Sequence, residues 1–367
     1  MMNRAYIFRI YPDRAQQELI NKTFGCVRFI YNAMLEDKIS YYNETGLSLN
    51  VTPASYKKQY EWLKEVDSLA LCNAQRNLER AFKNFYNDKN TGFPKFKSKK
   101  HSRKSYTTNS VNKNIRIEKN LIILPKLKGV RMKIHRDIPD DHKIKSVTVS
   151  MNASGKYYAS VLTEYEAVIT VRDAYKSVGL DYSMSDLYIS SDGHKGEYPK
   201  YYRASLEKLK RESRRLSKME KGSRNREKQR IKIAKIHEKI ANQRRDFMHK
   251  ESRQIANVYD MVCVENLDMK AMAKALHFGK SVTDNSYGKF LSMLEYKLDE
   301  QGKVLVKVDR WYPSSKTCSH CGAVKRNLGL KERMYVCDEC GAVIDRDYNA
   351  SKNILAEGQR IAKSILL

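Results

Sequence analysis

Four of the seven cysteines stand in two close pairs, within the segments CSHCG and CDECG. The four are Cys318, Cys321, Cys337 and Cys340. Fifteen residues separate the pairs, and two pairs at this spacing can direct four thiolates at one tetrahedral ion, as in a structural zinc ribbon. Gly322 and Gly341 directly follow the pairs and permit the tight turn that each pair needs. We therefore predict one Zn²⁺ with no open coordination position, which stabilises its module and takes no part in catalysis.

Three acidic residues stand where carboxylates could share divalent cations. Asp181 and Glu265 end the apolar stretches SVGLD and MVCVE, and Asp347 begins the stretch DYNASKNIL, in which apolar residues have helical spacing. Any one of them alone could be only a helix cap. Acids at the ends of two core strands and at the start of a helix can nevertheless converge, and converging carboxylates repel one another unless cations lie between them. We predict that the three bind two Mg²⁺ ions, which could activate a water molecule and stabilise the leaving oxygen of a phosphodiester.

The charge of the chain indicates a polyanionic partner. Its 367 residues include 70 Lys and Arg against 42 Asp and Glu, a formal net charge of +28. A membrane surface is the rival polyanion, but the sequence has no amphipathic helix with a bulky aromatic face and no run of about 18 apolar residues. The first residues also lack the apolar segment of a secretion signal. We expect a cytoplasmic protein that binds nucleic acid and no membrane, with Cys26, Cys72 and Cys263 as small core residues.

The first half of the chain combines a helical segment with strands. The stretch RAYIFRIYP alternates like a strand up to Pro12, and residues 13–86 carry apolar residues at helical spacing. Residues from about 106 to 170 alternate again, with a hairpin turn at NASGK. A small β-barrel that includes the first strand would close the edges of these strands, and the helical segment would then be an insertion.

Two segments are rich in basic residues. In TGFPKFKSKKHSRKSYTT, Phe93, Phe96 and Tyr106 interleave the charges, which fits either a solvated loop or a segment that follows a sugar–phosphate backbone and stacks on a base. Residues 201–250 hold 18 Lys and Arg but 6 Asp and Glu, and two apolar stripes of helical spacing flank the break KGSRN. A merely solvated helical hairpin would mix both signs of charge, so we interpret this one as a surface that follows phosphates.

The sequence resembles TnpB-type proteins of bacterial insertion sequences, the relatives of type V CRISPR effector nucleases. The resemblance covers almost the whole chain and rests on motifs that appear in the expected order: FRIYPDRAQQELI, FGCVRFIYN, GFPKFKSK, GLDYSMSDLYISSDG, IANQRRDFMHK, VENL, WYPSSKTCSHCG and DRDYNASKNIL. It implies that Asp181, Glu265 and Asp347 form the metal-binding triad, with Asp347 chosen over Asp345. It also implies that Arg333 is a basic residue that reaches toward the scissile phosphate.

The fold implied by the resemblance is an α/β multidomain protein. Its RuvC-like (RNase H-type) nuclease fold carries an inserted zinc ribbon, and a β-barrel (wedge) domain carries a helical recognition insertion. The expected bounds are 1–12 and 100–170 for the wedge domain, 13–99 for the recognition domain, 171–312 and 345–367 for the nuclease domain with its basic hairpin 201–250, and 313–344 for the ribbon. The sequence departs from the family pattern at Ser183, where many members have glycine. A serine there leaves less space for another backbone to approach, but the metal ligand Asp181 is unchanged.

The function implied by the resemblance is RNA-guided cleavage of DNA. A guide RNA, called ωRNA, would pair with one strand of double-stranded DNA and displace the other as a single strand, while the protein reads a short adjacent motif. One protein would act with each guide, in the bacterial cytoplasm. The alternative is a guide-directed DNA-binding regulator or repressor without productive cleavage. Because relatives without nuclease activity typically lose one of the three acids and this chain has all of them, the sequence favours the endonuclease.

Overall fold

The computed structural model describes residues 1–167, 176–269, 271–272, 284–329 and 332–365. The chain divides into two compact units, Met1–Ala167 and Val168–Leu367. None of the helices described is long and apolar enough to cross a lipid bilayer.

The first unit contains an antiparallel sheet and a group of helices. Its strands are β1 (Met2–Tyr11), β2 (Lys104–Asn109), β3 (Arg116–Glu118), β4 (Leu121–Leu124), β5 (Leu127–Lys133), β6 (Lys143–Met151) and β7 (Tyr157–Tyr165). Its helices are α1 (Arg14–Thr45), α2 (Pro53–Gln59), a short 3₁₀ helix (Glu61–Glu65) and α3 (Ser68–Asn87). The strand order is β2-β6-β7-β1-β5-β4-β3, so β1 pairs with β7 on one side and with β5 on the other.

The sheet of the first unit curves around one apolar core. Alternate residues of β1, Tyr6, Phe8 and Ile10, are buried in it together with side chains from β2 and β4. Helix α1 adds Ile20 and Phe24 to the same core. Within residues 1–167, all of which are described, the edge strands β2 and β3 do not pair with each other. The expected β-barrel is therefore an open curved sheet in its hydrogen bonding, because helical side chains complete the core.

The basic segment after α3 presents two of its three aromatic residues to solvent. Phe93 and Phe96 are 45% and 55% exposed, and the Phe93 ring contacts Phe82 and Phe85 near the end of α3 with centroids 5.6 and 5.4 Å apart. Tyr106 instead lies in β2 with its ring in the core, so it does not stack on a base as one interpretation of the sequence required. A contact with nucleic acid in this segment would fall to Phe93 and Phe96.

The second unit contains a four-stranded sheet, a helical hairpin and a two-stranded ribbon. Its strands are β8 (Ser177–Ser183), β9 (Leu187–Ser190), β10 (Met261–Glu265), β11 (Val304–Val308), β12 (Met334–Val336) and β13 (Val343–Asp345). Its helices are α4 (Tyr201–Ser217), α5 (Arg224–Val258), α6 (Tyr287–Asp299) and α7 (Arg346–Ile365). The larger sheet has the order β11-β10-β8-β9, with β8, β10 and β11 parallel and β9 antiparallel to β8. Helices α5 and α6 cover one face of this sheet and α7 covers the other.

Helices α4 and α5 form the basic hairpin, and a buried acid ties them together. Glu212 of α4 is 1% exposed, and its carboxylate accepts a hydrogen bond from Gln229 (2.9 Å) and pairs with Lys232 (3.0 Å) of α5. The hydrogen bond from Gln229, followed by that from Lys232, lowers the pKa of Glu212 to about 2. The apolar stripes of the sequence predicted two packed helices but not this polar contact between them.

Candidate metal centres

Two of the predicted acids stand side by side at one edge of the larger sheet. Strands β8 and β10 pair in parallel with Leu180 beside Val264, so the residues that follow, Asp181 and Glu265, occupy equivalent positions. Glu265 is the last residue of β10, whereas β8 continues two residues beyond Asp181, to Ser183. Neighbouring strands lie about 4.8 Å apart, and residues at equivalent positions point to the same face. Both acids are half-buried. Parallel pairing thus brings together two carboxylates that are 84 residues apart in the sequence.

Helix α7 lies directly against that face because two glycines leave room for it. A Cβ at Gly179 would lie 2.1 Å from the carbonyl oxygen of Ser351, and a Cβ at Gly358 would lie 2.2 Å from the Sγ of Cys263. Both distances are far below a tolerable contact, so each position requires glycine. Since Ser351 is one turn after Asp347, the contact at Gly179 brings the start of α7 to the carboxyl end of β8.

The two acids at the start of α7 have different tasks. The Asp345 carboxylate accepts hydrogen bonds from the backbone N–H groups of Asp347 (3.1 Å) and Tyr348 (3.0 Å), which is the contact of a helix N-cap. Asp347 is half-buried, and its pKa is raised first by burial and then by the negative charge of Asp345. The residue that caps the helix and the predicted metal ligand are thus different residues.

The three predicted acids interact electrostatically. Burial raises the pKa of Asp181 well above its usual value, and the charges of Asp347 and Glu265 raise it further. Burial also raises the pKa of Glu265 to about 6. The three acids lie farther from one another than the four cysteines do. Within the described ranges, no three acids have their carboxylate oxygens within 4.8 Å of one another. Carboxylate oxygens are the donors that Mg²⁺ prefers, so this donor set and its excess of negative charge fit the predicted ions.

The positive charges of three basic residues act on Asp347 and offset part of the rise in its pKa. In order of effect they are Arg333, Arg346 and Lys195. Arg346 donates its backbone N–H to the carbonyl oxygen of Arg333 (2.8 Å), which holds Arg333 beside the first turn of α7. The structure thus places the residue that was expected to contact a phosphate next to one of the acids.

Sequence reasoning missed Lys195. It follows β9 and forms an isolated bridge with Ile189 of that strand, which directs the turn SSDGHK back toward the sheet. Its charge acts on Asp347 although 152 residues separate the two in the sequence. A lone lysine after a turn carries no local signal, so only the fold reveals this contact.

The four cysteines form a compact thiolate cluster. Their Sγ atoms all lie within 4.8 Å of one another, with Cys318 and Cys340 3.7 Å apart and Cys321 and Cys337 3.6 Å apart. Four sulfurs about 2.3 Å from one tetrahedral ion would stand about 3.8 Å apart, so the residues fit Zn²⁺. Backbone N–H groups of residues 340 and 339 lower the pKa of Cys337 to about 6, which favours the thiolate that a metal needs.

Two turns and a small sheet bring the cysteine pairs together. Gly322 and Gly341 have φ angles of 79° and 71°, in the left-handed region that favours glycine, and each donates its N–H to the first cysteine of its pair. Strands β12 and β13 pair around the second cysteine pair, and the ring of Tyr335 in β12 is buried against Cys318 and Cys337. The expected double turn is therefore present at both pairs.

Two asparagines of α7 hold the first cysteine turn, and sequence reasoning missed them. Asn349 donates to the carbonyl of Thr317 (2.7 Å) and accepts from the N–H of Ser319 (2.9 Å). Asn353 donates to the carbonyls of Ser314 (2.8 Å) and Thr317 (2.6 Å). Both asparagines are buried, at 0% and 4% exposure. The signal was available in the spacing of four, which puts two amides on one face of the helix DYNASKNIL.

Ser183, which stands where the family resemblance led us to expect glycine, bonds to the turn that follows β8. It is buried at the end of β8, and its hydroxyl accepts a hydrogen bond from the N–H of Asp186 (3.2 Å) in the turn to β9. The serine thus stabilises the turn between the two strands.

Three family models match the chain. Residues 160–276 match the IS605 OrfB model, described as "Probable transposase", and residues 287–354 match the Cas12f1-like TNB domain. Residues 1–46 match the helix-turn-helix domain of IS605 OrfB, although here they form strand β1 and the single long helix α1.

Curated relatives align with nearly the whole chain. The name "Putative RNA-guided DNA endonuclease" belongs to a protein of Streptomyces pristinaespiralis that is 35% identical over 97% of this chain and 90% of its own length. The same name, with InsQ, belongs to a protein of Escherichia coli (strain K12) that is 29% identical over 98% of this chain and 93% of its own. Among solved structures, this chain is similar to the Cas12f1 chain in the cryo-EM structure of the Cas12f1–sgRNA–target DNA complex, with a TM-score of 0.59 and 14% identity. The superposition covers 93% of this chain and 83% of the Cas12f1 chain. This last likeness shows a shared fold.

Proposed function

Because this chain belongs to the IS605 OrfB family of TnpB-like proteins, whose curated members are named as RNA-guided DNA endonucleases, we propose that it is such an endonuclease of an insertion sequence. The observation that supports the proposal is that Asp181 and Glu265 occupy equivalent positions on two parallel strands, while the charge of Asp347, on a helix that packs on them, acts on Asp181. No simpler structural task explains three half-buried acids, two of which, Glu265 and Asp347, raise the pKa of the third, Asp181, because the helix cap is supplied by Asp345.

The topology of the second unit supports a RuvC-like, RNase H-type nuclease fold. A central strand, β8, has an antiparallel neighbour, β9, on one side and the parallel strands β10 and β11 on the other. The bridge between Ile189 and Lys195 begins a further antiparallel partner beside β9. We assign residues 171–312 and 345–367 to this fold, with 313–344 as the zinc-ribbon insert.

The first unit would supply the remaining assigned domains. Residues 1–12 and 100–170 contain the curved sheet, which we assign as the wedge domain, and residues 13–99 contain the helices of the recognition insertion. These assignments agree with the division of the chain after Ala167.

For cleavage, Asp181 and Asp347 would hold two Mg²⁺ ions and Glu265 would complete the ligand set. The ions, when bound, supply an activated water molecule and stabilise the leaving oxygen of the phosphodiester. The charges of Arg333 and Lys195 act on Asp347, and in the proposed function their cations would bind the nonbridging oxygens of the phosphate and orient it over the acids. Zn²⁺ on the four cysteines would stabilise the ribbon alone.

The partners in the proposed function are a guide RNA and DNA, in duplex and displaced single-stranded form. A guide–DNA hybrid is held by its backbone, which requires a long positive surface and few base-specific side chains. The hairpin α4–α5, with 18 basic and 6 acidic residues over 201–250, supplies such a surface. Affinity for the target should fall steeply with salt, because each neutralised phosphate releases counterions. We expect one protein for each guide.

The test of the proposal is a cleavage assay with two matched variants. The protein is purified with the RNA that it binds, the RNA is sequenced, and a plasmid library is prepared in which randomised bases flank the complement of the guide. Asp347→Ala should abolish cutting and leave guide-dependent binding nearly unchanged. Asp345→Asn, a neighbouring acid changed to another good helix cap, should still cut.

Three results would count against the proposal. Cutting by Asp347→Ala at the wild-type rate would remove Asp347 from the site. Guide-dependent binding by the wild-type protein without any cutting would favour the regulator. Co-purified RNA that consists of bulk ribosomal fragments would argue against guiding itself.

A further inference from the structure

Trp311 is a large apolar side chain that the fold leaves in solvent. It is 83% exposed, more than any other large hydrophobic residue of the described ranges. Its neighbour Tyr312 packs instead against the core that contains Val308 and Ile354. The other tryptophan, Trp62, is 37% exposed and lies in a cluster of aromatic rings in the first unit. An exposed indole offers a flat apolar face on which a planar partner can stack.

The backbone around Trp311 is held in place by local hydrogen bonds. The N–H of Trp311 donates to the carboxylate of Asp309 (2.8 Å), and the N–H of Tyr312 donates to the carbonyl of Asp309 (3.1 Å). Further along, the carbonyl of Ser314 accepts a bond from the buried Asn353 of α7 (2.8 Å). The backbone from which the indole projects is therefore held by a structured turn, so binding to the ring need not order the chain around it.

Trp311 also stands close to the candidate nuclease centre. Val308 ends β11 and is the register partner of Glu265, so the turn that follows leaves the sheet at the edge where the acids lie. Three residues of chain span at most about 11 Å, so the Cα of Trp311 lies within that distance of the Cα of Val308, about the length of three stacked bases. The exposed Arg310 precedes it and can pair with a phosphate.

We propose that the indole of Trp311 stacks on an unpaired base of the DNA strand whose phosphodiester is bound at Asp181, Glu265 and Asp347. This inference rests on the proposed function, because it places the base next to the bond that is cut. An unpaired base is required, since a base within a duplex has both faces covered by its neighbours. Stacking on an isolated ring suits every base, so Trp311 would hold the strand in register without reading its sequence.

The test uses the fluorescence of Trp311 itself. The chain has two tryptophans, so Trp62→Phe leaves Trp311 as the single reporter, and Trp311→Phe leaves Trp62 as the control. The full chain with its co-purified RNA is titrated with a single-stranded oligothymidylate of 12 nucleotides, and in parallel with an abasic deoxyribose–phosphate oligomer of equal length. Binding of each is followed by the anisotropy of an end label.

Stacking predicts that the oligothymidylate quenches the Trp311 emission with saturation, and that the abasic oligomer binds without quenching it. The emission of Trp62 should not change with either oligomer. Trp311→Ala should lose about 5- to 150-fold in affinity for the oligothymidylate and little for the abasic oligomer, with Trp311→Phe between alanine and wild type. Because the side chain is exposed, all three proteins should unfold at nearly the same temperature.

Two results would overturn the inference. One is that the Trp311 emission does not change although anisotropy shows that the oligothymidylate is bound. This is also the result expected if Trp311 binds another protein instead of DNA. The other is equal quenching by the abasic oligomer, which would assign the effect to phosphates. Neither readout requires cleavage, so a chain that shows the quenching but never cuts would keep the stacking site and lose the nuclease assignment.

Discussion

Gly179 offers a direct test of how the candidate nuclease centre is assembled. A Cβ at this position of β8 would lie 2.1 Å from the carbonyl oxygen of Ser351 and 2.7 Å from the backbone nitrogen of Leu355. Both are backbone atoms of α7, so no side-chain rotation can relieve the contact. To restore a separation of about 3 Å, Gly179→Ala must push the helix roughly 1 Å away from the sheet.

The expected cost follows from that displacement. Inserting a methyl group into a packed interior costs about 1–3 kcal/mol, and a contact with rigid backbone belongs at the upper end. At about 2–4 °C per kcal/mol for a unit of this size, the second unit should unfold about 6–12 °C lower. The displaced helix carries Asp347, and a misplacement of about 1 Å in a catalytic group can reduce the rate about 100-fold.

Gly288→Ala is the matched control for this experiment. Gly288 lies exposed in α6, and a Cβ there would meet nothing within 4 Å. The same substitution should therefore stabilise the protein by up to about 1 kcal/mol through helix propensity and should leave cleavage unchanged. Thermal unfolding followed by circular dichroism, with cleavage measured at 25 °C, compares the two. If Gly179→Ala unfolds within 1 °C of wild type and cuts as fast, α7 does not contact β8 as described. The argument that this contact brings Asp347 close to Asp181 and Glu265 would then fail.

Three further predictions concern the metal ligands and the residues beside them. Cys337→Ser should lose the bound Zn²⁺ and a folding energy on the order of 10 kcal/mol. Cys72→Ser should keep both, because Cys72, which the sequence wrongly predicted to be a core residue, is exposed in the first unit. Elemental analysis that finds no zinc in the wild type would refute the ribbon. Burial raises the Glu265 pKa from 4.5 to about 6, so the wild-type protein loses stability as the pH rises through that value. Without divalent cations, Glu265→Gln should therefore leave the free energy of unfolding almost unchanged near pH 4 and raise it by about 2 kcal/mol at pH 7.5. A difference between the variant and the wild type that does not change with pH would contradict this. Lys195→Ala and Arg333→Ala should each slow cutting while leaving binding of the guide RNA intact, and a loss of RNA binding by either would move that residue away from the scissile phosphate.

The chemistry of the site could be predicted from the sequence wherever a local pattern carried it. The spacing of the cysteine pairs predicts metal ligands, since a tight turn of four residues must direct both thiolates to one side. Asp181 and Glu265 were found because each ends an apolar stretch, and the parallel register of β8 and β10 then makes them neighbours. In these cases the relevant partner is either a few residues away or fixed by the pairing rules of a sheet.

Contacts that depend on how elements pack could not be predicted in this way. Nothing in the sequence distinguishes Gly179, which is needed at a contact between a strand and a helix, from Gly288, which touches nothing. Tyr106 was assigned to a surface because its neighbours are lysines, yet the alternation of β2 turns its ring into the core. Lys195 carried no local signal at all, because its interaction with Asp347 exists only after the sheet and α7 have met.

The zinc ribbon stands just before Asp347 in the sequence, and the structure gives a physical reason for that order. Strand β13 of the ribbon ends at Asp345, the same residue whose carboxylate caps α7, so the end of the small sheet beside the cysteine cluster fixes the first turn of the helix. From the other side, Asn349 and Asn353 of α7 bind the turn that contains the first cysteine pair. A helix start that is held at both its cap and its next turn has little freedom to move Asp347 relative to β8. In the proposed function, a Zn²⁺ ion that performs no chemistry would thus determine where the carboxylate of Asp347 stands, and the cysteine cluster would lie close to the acids because it orients one of them.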